Sequence, residues 1–149
     1  MTYLAAGLPA PVIEIDLLDA PYWNGTRQHR LMVQRCAKCQ SFQWGPEWIC
    51  HACSSFEIDW VEVEGKGAIY SWQRVWHPVH AALKDQGPYL IVLVELRQAG
   101  NIRMIGNLLG DPLQRVKMGA PVNAVFEDHN EGELRYTLVQ WELAGAWRF

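Results

Sequence analysis

Apolar and polar residues alternate with a period of two along the second half of the chain, and this pattern predicts β-strands. The clearest case is residues 68–76, where Tyr70, Trp72, Arg74 and Trp76 fall on one face of the predicted strand. Further strands are predicted at residues 57–64, 89–97, 102–109, 122–127 and 134–143. Turn sequences rich in glycine, asparagine and proline separate these strands.

The number and length of the strands favour a closed barrel. Five or six strands occupy roughly ninety residues, which is too few for the two full sheets of an open sandwich. Asp111 and Pro112 open a short helical or turn segment between two of the strands. We therefore expect a small OB-fold β-barrel, with an open sandwich as the alternative. No internal repeat is recognised in the sequence.

The first part of the chain is predicted to contain an arm, a short helix and one strand. Residues 1–15 combine Pro9 and Pro11 with alternating apolar residues, which predicts an extended arm. Residues 16–30 are predicted to form a short helix, because Asp19 can cap its N-terminus and Pro21 is tolerated in its first turn. A short strand at residues 30–35 then leads into the first pair of cysteines.

All four cysteines belong to two C-x-x-C pairs with ten residues between them, at Cys36, Cys39, Cys50 and Cys53. Each pair allows a tight turn to direct two thiolates at one cation, and two such turns complete the tetrahedral site that Zn²⁺ prefers. A closed site of four thiolates leaves no position for water or substrate, so the metal is predicted to be structural. His51 directly follows a cysteine and is predicted to be a loop residue.

Other interpretations of the cysteines agree less well with the sequence. A redox-active pair needs a helix that begins at its first cysteine within a βαβ unit, which neither pair has. Two disulfides imply an oxidising compartment, and no signal-peptide pattern is seen at the N-terminus. Iron fits the same four-sulfur geometry. Zinc is preferred because nothing else in the sequence indicates electron transfer.

The charge and hydropathy of the chain argue against binding to nucleic acid or membranes. The 149 residues include 13 Lys and Arg against 16 Asp and Glu, with no run of basic residues. The longest apolar stretch, residues 89–94, is far too short to cross a bilayer. We therefore expect a soluble, cytoplasmic protein. Its eight tryptophans are too many for a small barrel to bury, so some are predicted to contact a partner.

Two residues are candidates for contact with a ligand or a partner. Arg74 lies among aromatic residues, where a guanidinium stacked on indole can also hold a phosphate or a carboxylate. His77 opens the loop that follows, three residues before His80. A surface arginine and an ordinary loop histidine are the alternatives. The sequence contains no glycine-rich phosphate loop, nucleophile elbow or spaced pair of carboxylates, so the chain is predicted to assist an enzyme rather than to catalyse alone.

Several separated motifs resemble those of one protein family. They are residues 21–23, 30–36, the two cysteine pairs, residues 60–72, 77–78, 88–89, 94–96, 119–122 and 126–128. In this order they resemble the zinc-ribbon/OB-fold proteins that are encoded beside thiolases and thiolase-like aldolases. The resemblance covers residues 16–128. Residues 134–149 form a longer aromatic tail than the shortest members have, which favours the steroid-aldolase group within the family.

The resemblance implies an N-terminal arm and helix at residues 1–30, a rubredoxin-like zinc ribbon at residues 31–57, and an OB-fold barrel with a C-terminal tail at residues 58–149. It also implies a non-catalytic subunit that docks on a thiolase-fold dimer, which gives a heterotetramer. Such a subunit helps to order the active site and to hold the acyl-CoA substrate. The expected reaction is the retro-aldol cleavage of a β-hydroxyacyl-CoA in steroid side-chain degradation.

Three alternatives remain at this point. Other members of the family imply an accessory subunit of a thiolase, acyltransferase or hydratase complex. An OB barrel with surface aromatic residues can also bind single-stranded nucleic acid, which the negative net charge disfavours. A rubredoxin-like electron carrier is the third alternative, and the large barrel argues against it.

Overall fold

A computed structural model of the chain describes residues 7–13, 17–130 and 134–145. Within these residues, one α-helix precedes a three-stranded and a five-stranded antiparallel sheet. The mainly β fold predicted from the sequence, with an N-terminal helix, a ribbon and a small barrel, is confirmed. Most of the predicted arm, the tip of the last predicted turn and the tail beyond Gly145 lie outside the described residues.

The helix α1 (Ala20–Thr26) is shorter than the predicted residues 16–30. Asp19 precedes it but does not cap its backbone, because its carboxylate accepts a hydrogen bond from the indole nitrogen of Trp23 at 2.8 Å. No helix in the described part of the chain is long and apolar enough to span a bilayer.

Aromatic packing joins the helix to the ribbon. Tyr22 lies edge-on against Trp44, with 4.9 Å between the ring centroids. Burial raises the pKa of the Tyr22 hydroxyl far above its ordinary value, because the charged phenolate cannot be solvated there. The helix therefore packs through its aromatic side chains on the ribbon.

The ribbon sheet contains β1 (Leu31–Cys36), β2 (Phe42–Gln43) and β3 (Ile58–Val63), in the order β2-β1-β3. The alternation at residues 57–64 predicts that this strand belongs to the barrel. In the structure β3 instead pairs with β1 along its whole length, from Leu31 opposite Val63 to Cys36 opposite Ile58. This pairing places the first cysteine at the end of the sheet.

The barrel is built from β4 (Lys66–Val75), β5 (Tyr89–Leu96), β6 (Ile102–Asn107), β7 (Pro121–His129) and β8 (Tyr136–Leu143), in the order β6-β5-β4-β7-β8. Its two edge strands meet through a parallel bridge between Leu108 and Trp141. The N–H of Leu109 also donates to the carbonyl of Trp141 at 2.7 Å. The sheet is therefore nearly closed, as an OB barrel requires.

The barrel core centres on Trp141, which is 0% exposed. Its indole lies against the backbone of β6 at Gly106. A Cβ atom at Gly106 would lie 2.7 Å from the Cδ1 atom of Trp141. Only glycine therefore allows β6 to approach the tryptophan so closely.

A polar contact ties the segment after α1 to the barrel. The Nε2 atom of His29 lies 2.9 Å from a carboxylate oxygen of Asp128, and the Thr137 hydroxyl donates to the same carboxylate at 2.7 Å. The His29 ring also stacks on Phe126. The Thr137 hydroxyl and His29 hold the pKa of Asp128 below its ordinary value, because both stabilise the ionised carboxylate.

Replacing Asp128 by asparagine is expected to reduce stability modestly at neutral pH. Because the folded-state pKa of Asp128 is lowered, its contribution is present above the unfolded pKa of about 4 and is lost as the pH falls through the folded value. The side chains of Asp128 and its partner His29 are about half exposed. Solvent screening therefore limits the loss in free energy of unfolding to about 0.5–1 kcal/mol. The difference in melting temperature between wild type and Asp128→Asn should be larger near neutral pH than at an acidic pH below about 4, where the Asp128 carboxylate becomes protonated. An equal difference at both pH values would contradict this assignment.

Candidate metal centre and exposed aromatic surfaces

The four cysteine sulfurs converge at one end of the ribbon sheet. The Sγ atoms of Cys36 and Cys53 are 3.7 Å apart, those of Cys39 and Cys50 are 3.5 Å apart, and all four lie within 4.8 Å of one another. Four sulfurs that each bind Zn²⁺ at about 2.3 Å lie about 3.8 Å from each other in a tetrahedron. The four cysteines are therefore positioned to bind one metal ion, and their spacing fits zinc.

Backbone hydrogen bonds shape the two cysteine turns in the same way. The N–H of Cys36 donates to the carbonyl of Ser41 at 2.9 Å, and the N–H of Cys50 donates to the carbonyl of Ser55 at 2.8 Å. Backbone N–H groups also approach the sulfurs, such as that of Cys39 at 3.5 Å from Cys36 Sγ. Such contacts stabilise thiolates, which are the form that binds a cation.

The two turns are copies of one seven-residue pattern. Residues 36–42 read CAKCQSF and residues 50–56 read CHACSSF. Gln40 and Ser54 occupy the same position and both have a left-handed backbone, with φ of 64° and 59°. This short repeat corrects the expectation that the chain contains no internal repeat. The shared spacing C-x-x-C-x-S-F is the signal that reveals it.

The thiols are not equivalent in their acidity. Hydrogen bonds from the hydroxyl and the backbone of Ser41 lower the pKa of Cys39 to about 6. The backbone N–H of Ser55 lowers the pKa of Cys53, but the neighbouring sulfurs and desolvation outweigh it and raise the value to about 12. A coordinated cation changes this balance, because it deprotonates the thiols that bind it.

Two buried glutamines hold the loop between the cysteine pairs. Gln34 donates to the carbonyl of Glu47 at 3.1 Å and accepts its N–H at 2.9 Å. Gln43 donates to Gln34 at 2.9 Å and accepts the N–H of His51 at 3.2 Å. The network sets the position of Cys50 relative to the first pair. Neither glutamine was among the predicted site residues, because an amide on a short strand shows no local sign of burial.

Arg74 lies between two indoles at one end of the barrel, as its place in the sequence predicts. Its guanidinium carbon is 5.4 Å from the ring centroid of Trp72 and 6.0 Å from that of Trp76. Its Nε donates to the carbonyl of Pro112 at 2.8 Å, and its Nη2 donates to that of Gln114 at 2.7 Å. Arg74 therefore also anchors the loop that follows β6, which the sequence did not indicate.

The loop between β4 and β5 carries the two candidate histidines. His77 is exposed and follows the exposed Trp76 directly. The Nδ1 atom of His80 accepts the N–H of Ala82 at 3.2 Å and caps a single 3₁₀ turn at Ala81–Leu83. A cleft of about 590 Å³ lies between the end of this loop and the end of β6. Its lining includes Leu83, Pro88, Tyr89 and Leu109.

Exposed aromatic residues occur on both parts of the fold. On the ribbon, Trp48 is 66% exposed and Phe56 is 77% exposed. On the barrel wall, the guanidinium of Arg103 lies 3.5 Å above the ring of the exposed Tyr70. The prediction that a small barrel cannot bury every tryptophan is confirmed, because Trp141 is buried whereas Trp48 and Trp76 are exposed. Contact of the exposed tryptophans with a partner stays a prediction.

A four-cysteine ribbon fused to a nearly closed five-stranded barrel defines the class of zinc-ribbon proteins with an OB-fold domain. Comparison with known families agrees with this class. Residues 23–59 match the family model of the ChsH2 rubredoxin-like zinc ribbon domain, and residues 60–127 match that of the ChsH2 C-terminal OB-fold domain. The chain belongs to this ChsH2 (DUF35) family, which confirms the resemblance seen in its motifs.

Curated relatives of the chain have several names. It is 37% identical over 114 residues to a probable enoyl-CoA hydratase alpha subunit of Thermomonospora curvata, a match that covers 76% of this chain and 34% of the relative. It is 33% identical over 124 residues to the 3-oxo-4,17-pregnadiene-20-carboxyl-CoA hydratase alpha subunit of Mycobacterium tuberculosis, with 81% and 36% covered. The chain therefore spans about a third of the length of these two relatives.

Two further matches cover nearly the whole of the related chain. A DUF35 domain-containing scaffold protein of Methanocaldococcus jannaschii is 31% identical over 130 residues, with 81% of this chain and 88% of the relative covered. A chain of the solved Ltp2-ChsH2(DUF35) aldolase is 33% identical and superimposes with a TM-score of 0.72. That match covers 90% of this chain and 98% of the other.

Proposed function

We propose that this chain is a zinc-binding, non-catalytic subunit that docks on a thiolase-fold enzyme acting on acyl-CoA thioesters. The observation that carries the proposal is the match to a chain of the Ltp2-ChsH2(DUF35) aldolase, which extends over 98% of that chain. A relative of similar length is named a scaffold protein. Both names describe proteins that work together with another subunit.

In this proposal Cys36, Cys39, Cys50 and Cys53 hold one structural Zn²⁺. Four thiolates satisfy all the positions of a tetrahedral zinc ion, so the bound metal would contribute to folding rather than to chemistry. The sulfur spacing and the backbone N–H groups directed at the sulfurs support this role. The bound metal would then hold the ribbon in a rigid conformation beside the barrel.

The proposed reaction of the complex is a retro-aldol cleavage. A base removes the proton of the β-hydroxyl group, the bond between Cα and Cβ breaks, and the electron pair passes to the thioester as an enolate that takes up a proton. The products are a carbonyl compound and a shortened acyl-CoA. We assign the base and the enolate-stabilising groups to the partner subunit, and to this chain the ordering of the site.

Arg74 and His77 are the residues that we propose to face the acyl-CoA ligand or the partner. Arg74 is held between two indoles, and His77 follows the exposed Trp76 at the same end of the barrel. The adjacent cleft of about 590 Å³ is large enough for an apolar acyl group. Two hydrogen bonds to backbone carbonyls commit part of the guanidinium of Arg74, so a ligand would approach its remaining edge.

The test is co-expression of the tagged chain with each thiolase-fold protein of the same genome. We expect one of them to co-elute in a complex of two copies of each subunit, measured by light scattering. That complex should cleave a steroid whose side chain is a β-hydroxyacyl-CoA thioester, whereas the isolated chain should not. Turnover by the isolated chain, or the absence of any complex, would contradict the proposal.

A hydratase complex is the second candidate, because two relatives are named hydratase alpha subunits. These relatives are roughly twice as long as this chain, since matches of 114 and 124 residues cover only 34% and 36% of them, so their hydratase activity need not depend on the shared segment. The same purified complex should therefore be assayed with the corresponding enoyl-CoA. Hydration without cleavage would replace the aldolase assignment with this one.

A further inference from the structure

The internal repeat of the ribbon places two phenylalanines in equivalent positions. Phe42 follows the first cysteine pair and Phe56 follows the second, each three residues after the last cysteine of its turn. Both turns contain a hydrogen bond from the N–H of the first cysteine to the carbonyl of the serine before the phenylalanine, and both have a left-handed residue directly after the second cysteine. Because the two phenylalanines end equivalent turns, their surroundings can be compared.

The first ring is covered by the chain itself. Phe42 packs against the hydrophobic core, and its ring lies against Gly100, where an added Cβ would be 3.4 Å from the Cδ2 atom of Phe42. The guanidinium of Arg35 stands 5.2 Å from the ring centroid on another side. In the first turn, the phenylalanine therefore packs the ribbon against the barrel.

The second ring lies in solvent. Phe56 is 77% exposed, and the residue equivalent to Arg35 is the apolar Ile49, which is partly exposed. The hydrogen bond from the N–H of Cys50 to the carbonyl of Ser55 closes the second turn, and Ile49 and Phe56 are the residues that flank this bonded pair. Trp48 precedes Ile49 in the chain and is 66% exposed. We call Trp48, Ile49 and Phe56 the second-knuckle patch.

We propose that the second-knuckle patch is the surface through which the ribbon docks on the thiolase-fold partner, in the way that Phe42 docks on the barrel. This inference rests on the proposed function. Exposed Trp and Phe residues are typical anchors of an interface, because they bury a large apolar area at a small cost in conformational entropy. Phe42, the equivalent residue of the first turn, is covered by an apolar surface of the barrel, and we expect an apolar surface of the partner to cover Phe56.

The charges beside the patch favour a different partner over a second copy of this chain. Glu47 precedes Trp48 and Glu57 follows Phe56, and both glutamates are exposed. In a two-fold symmetric contact the same patch meets itself, so these acidic groups would face each other and repel. A partner with an apolar pocket and a basic rim complements both the rings and the charges.

The test compares single variants of the full chain for binding to the thiolase-fold subunit found by co-expression. We expect Phe56→Ala and Trp48→Ala each to weaken binding at least about tenfold without lowering the melting temperature of the isolated chain. Ile105→Ala is the matched control, because Ile105 is an equally exposed apolar residue on the barrel wall, at 69%. It should bind as the wild type does. Phe42→Ala should lower the melting temperature instead.

The outcomes separate this inference from the proposed function. If wild type binds the partner and both Phe56→Ala and Trp48→Ala bind equally well, the inference is overturned and the proposed function stands. An equal loss in Ile105→Ala would also overturn it, because the effect would not be specific to the patch. A large fall in the melting temperature of Phe56→Ala would show a structural role for the ring. If wild type binds no thiolase-fold protein, both proposals fall.

Discussion

Cys36→Ser is expected to prevent folding of the ribbon, and Cys53→Ser is expected to do the same. Each change removes one of four thiolates, and a structural zinc site contributes on the order of 10 kcal/mol to folding. A typical domain is stable by only about 5–15 kcal/mol. The expected result is therefore a chain that is recovered without bound metal and lacks a cooperative melting transition.

Elemental analysis and thermal melting of the purified protein check this result. Wild type should contain equimolar zinc, and removal of the metal with a strong chelator should reproduce the variant. Ser55→Ala is a suitable control, since the Ser55 hydroxyl accepts the exposed N–H of Glu57 at 3.1 Å and the substitution leaves the four thiolates in place. It should stay within about 1 kcal/mol of wild type. A soluble Cys36→Ser protein that melts normally without metal would contradict the assignment of a structural metal site to the four cysteines.

Trp141→Ala is expected to have the second largest effect. The side chain is completely buried and fills the space between β8 and β6. Truncation of a buried tryptophan to alanine costs about 3–5 kcal/mol, because apolar contacts are lost and a cavity remains. For a chain of this size that corresponds to a fall in melting temperature of roughly 10 °C or more.

Trp141→Phe separates the loss of volume from the loss of the indole N–H. Within the described residues, the Nε1 atom of Trp141 is buried and makes no hydrogen bond. Removing this donor therefore costs nothing, and phenylalanine should restore most of the stability. Chemical denaturation of the three proteins measures the difference. If Trp141→Ala were as stable as wild type, the barrel would not close around this residue.

The strand pattern was predictable because it is local. Each barrel strand lies close to the residues predicted from its alternation and its flanking turns. Which strands pair with each other was harder to predict from the sequence. Residues 58–63 alternate like a barrel strand, yet they pair with β1 in the ribbon, because pairing depends on where a distant segment lies. The prediction that Asp19 caps the helix was wrong, because the Asp19 carboxylate accepts a hydrogen bond from the indole of Trp23 instead.

The candidate site divides in the same way. The two C-x-x-C pairs indicate a four-thiolate cluster without any structure, and the structure brings those sulfurs together. The buried amides of Gln34 and Gln43 and the loop contacts of Arg74 involve residues far apart in sequence. No local pattern could indicate them.

The sequence by itself determined the four cysteine ligands, the positions of the barrel strands along the chain and the family. Spacing and alternation are properties of neighbouring residues, so they can be recognised without the structure. The tertiary structure alone decided which apolar side chains are covered. Phe42 and Phe56 end the same C-x-x-C-x-S-F turn sequence, yet one packs against the hydrophobic core and the other lies in solvent. Burial depends on which distant surface comes to lie over a side chain, and that depends on the whole fold.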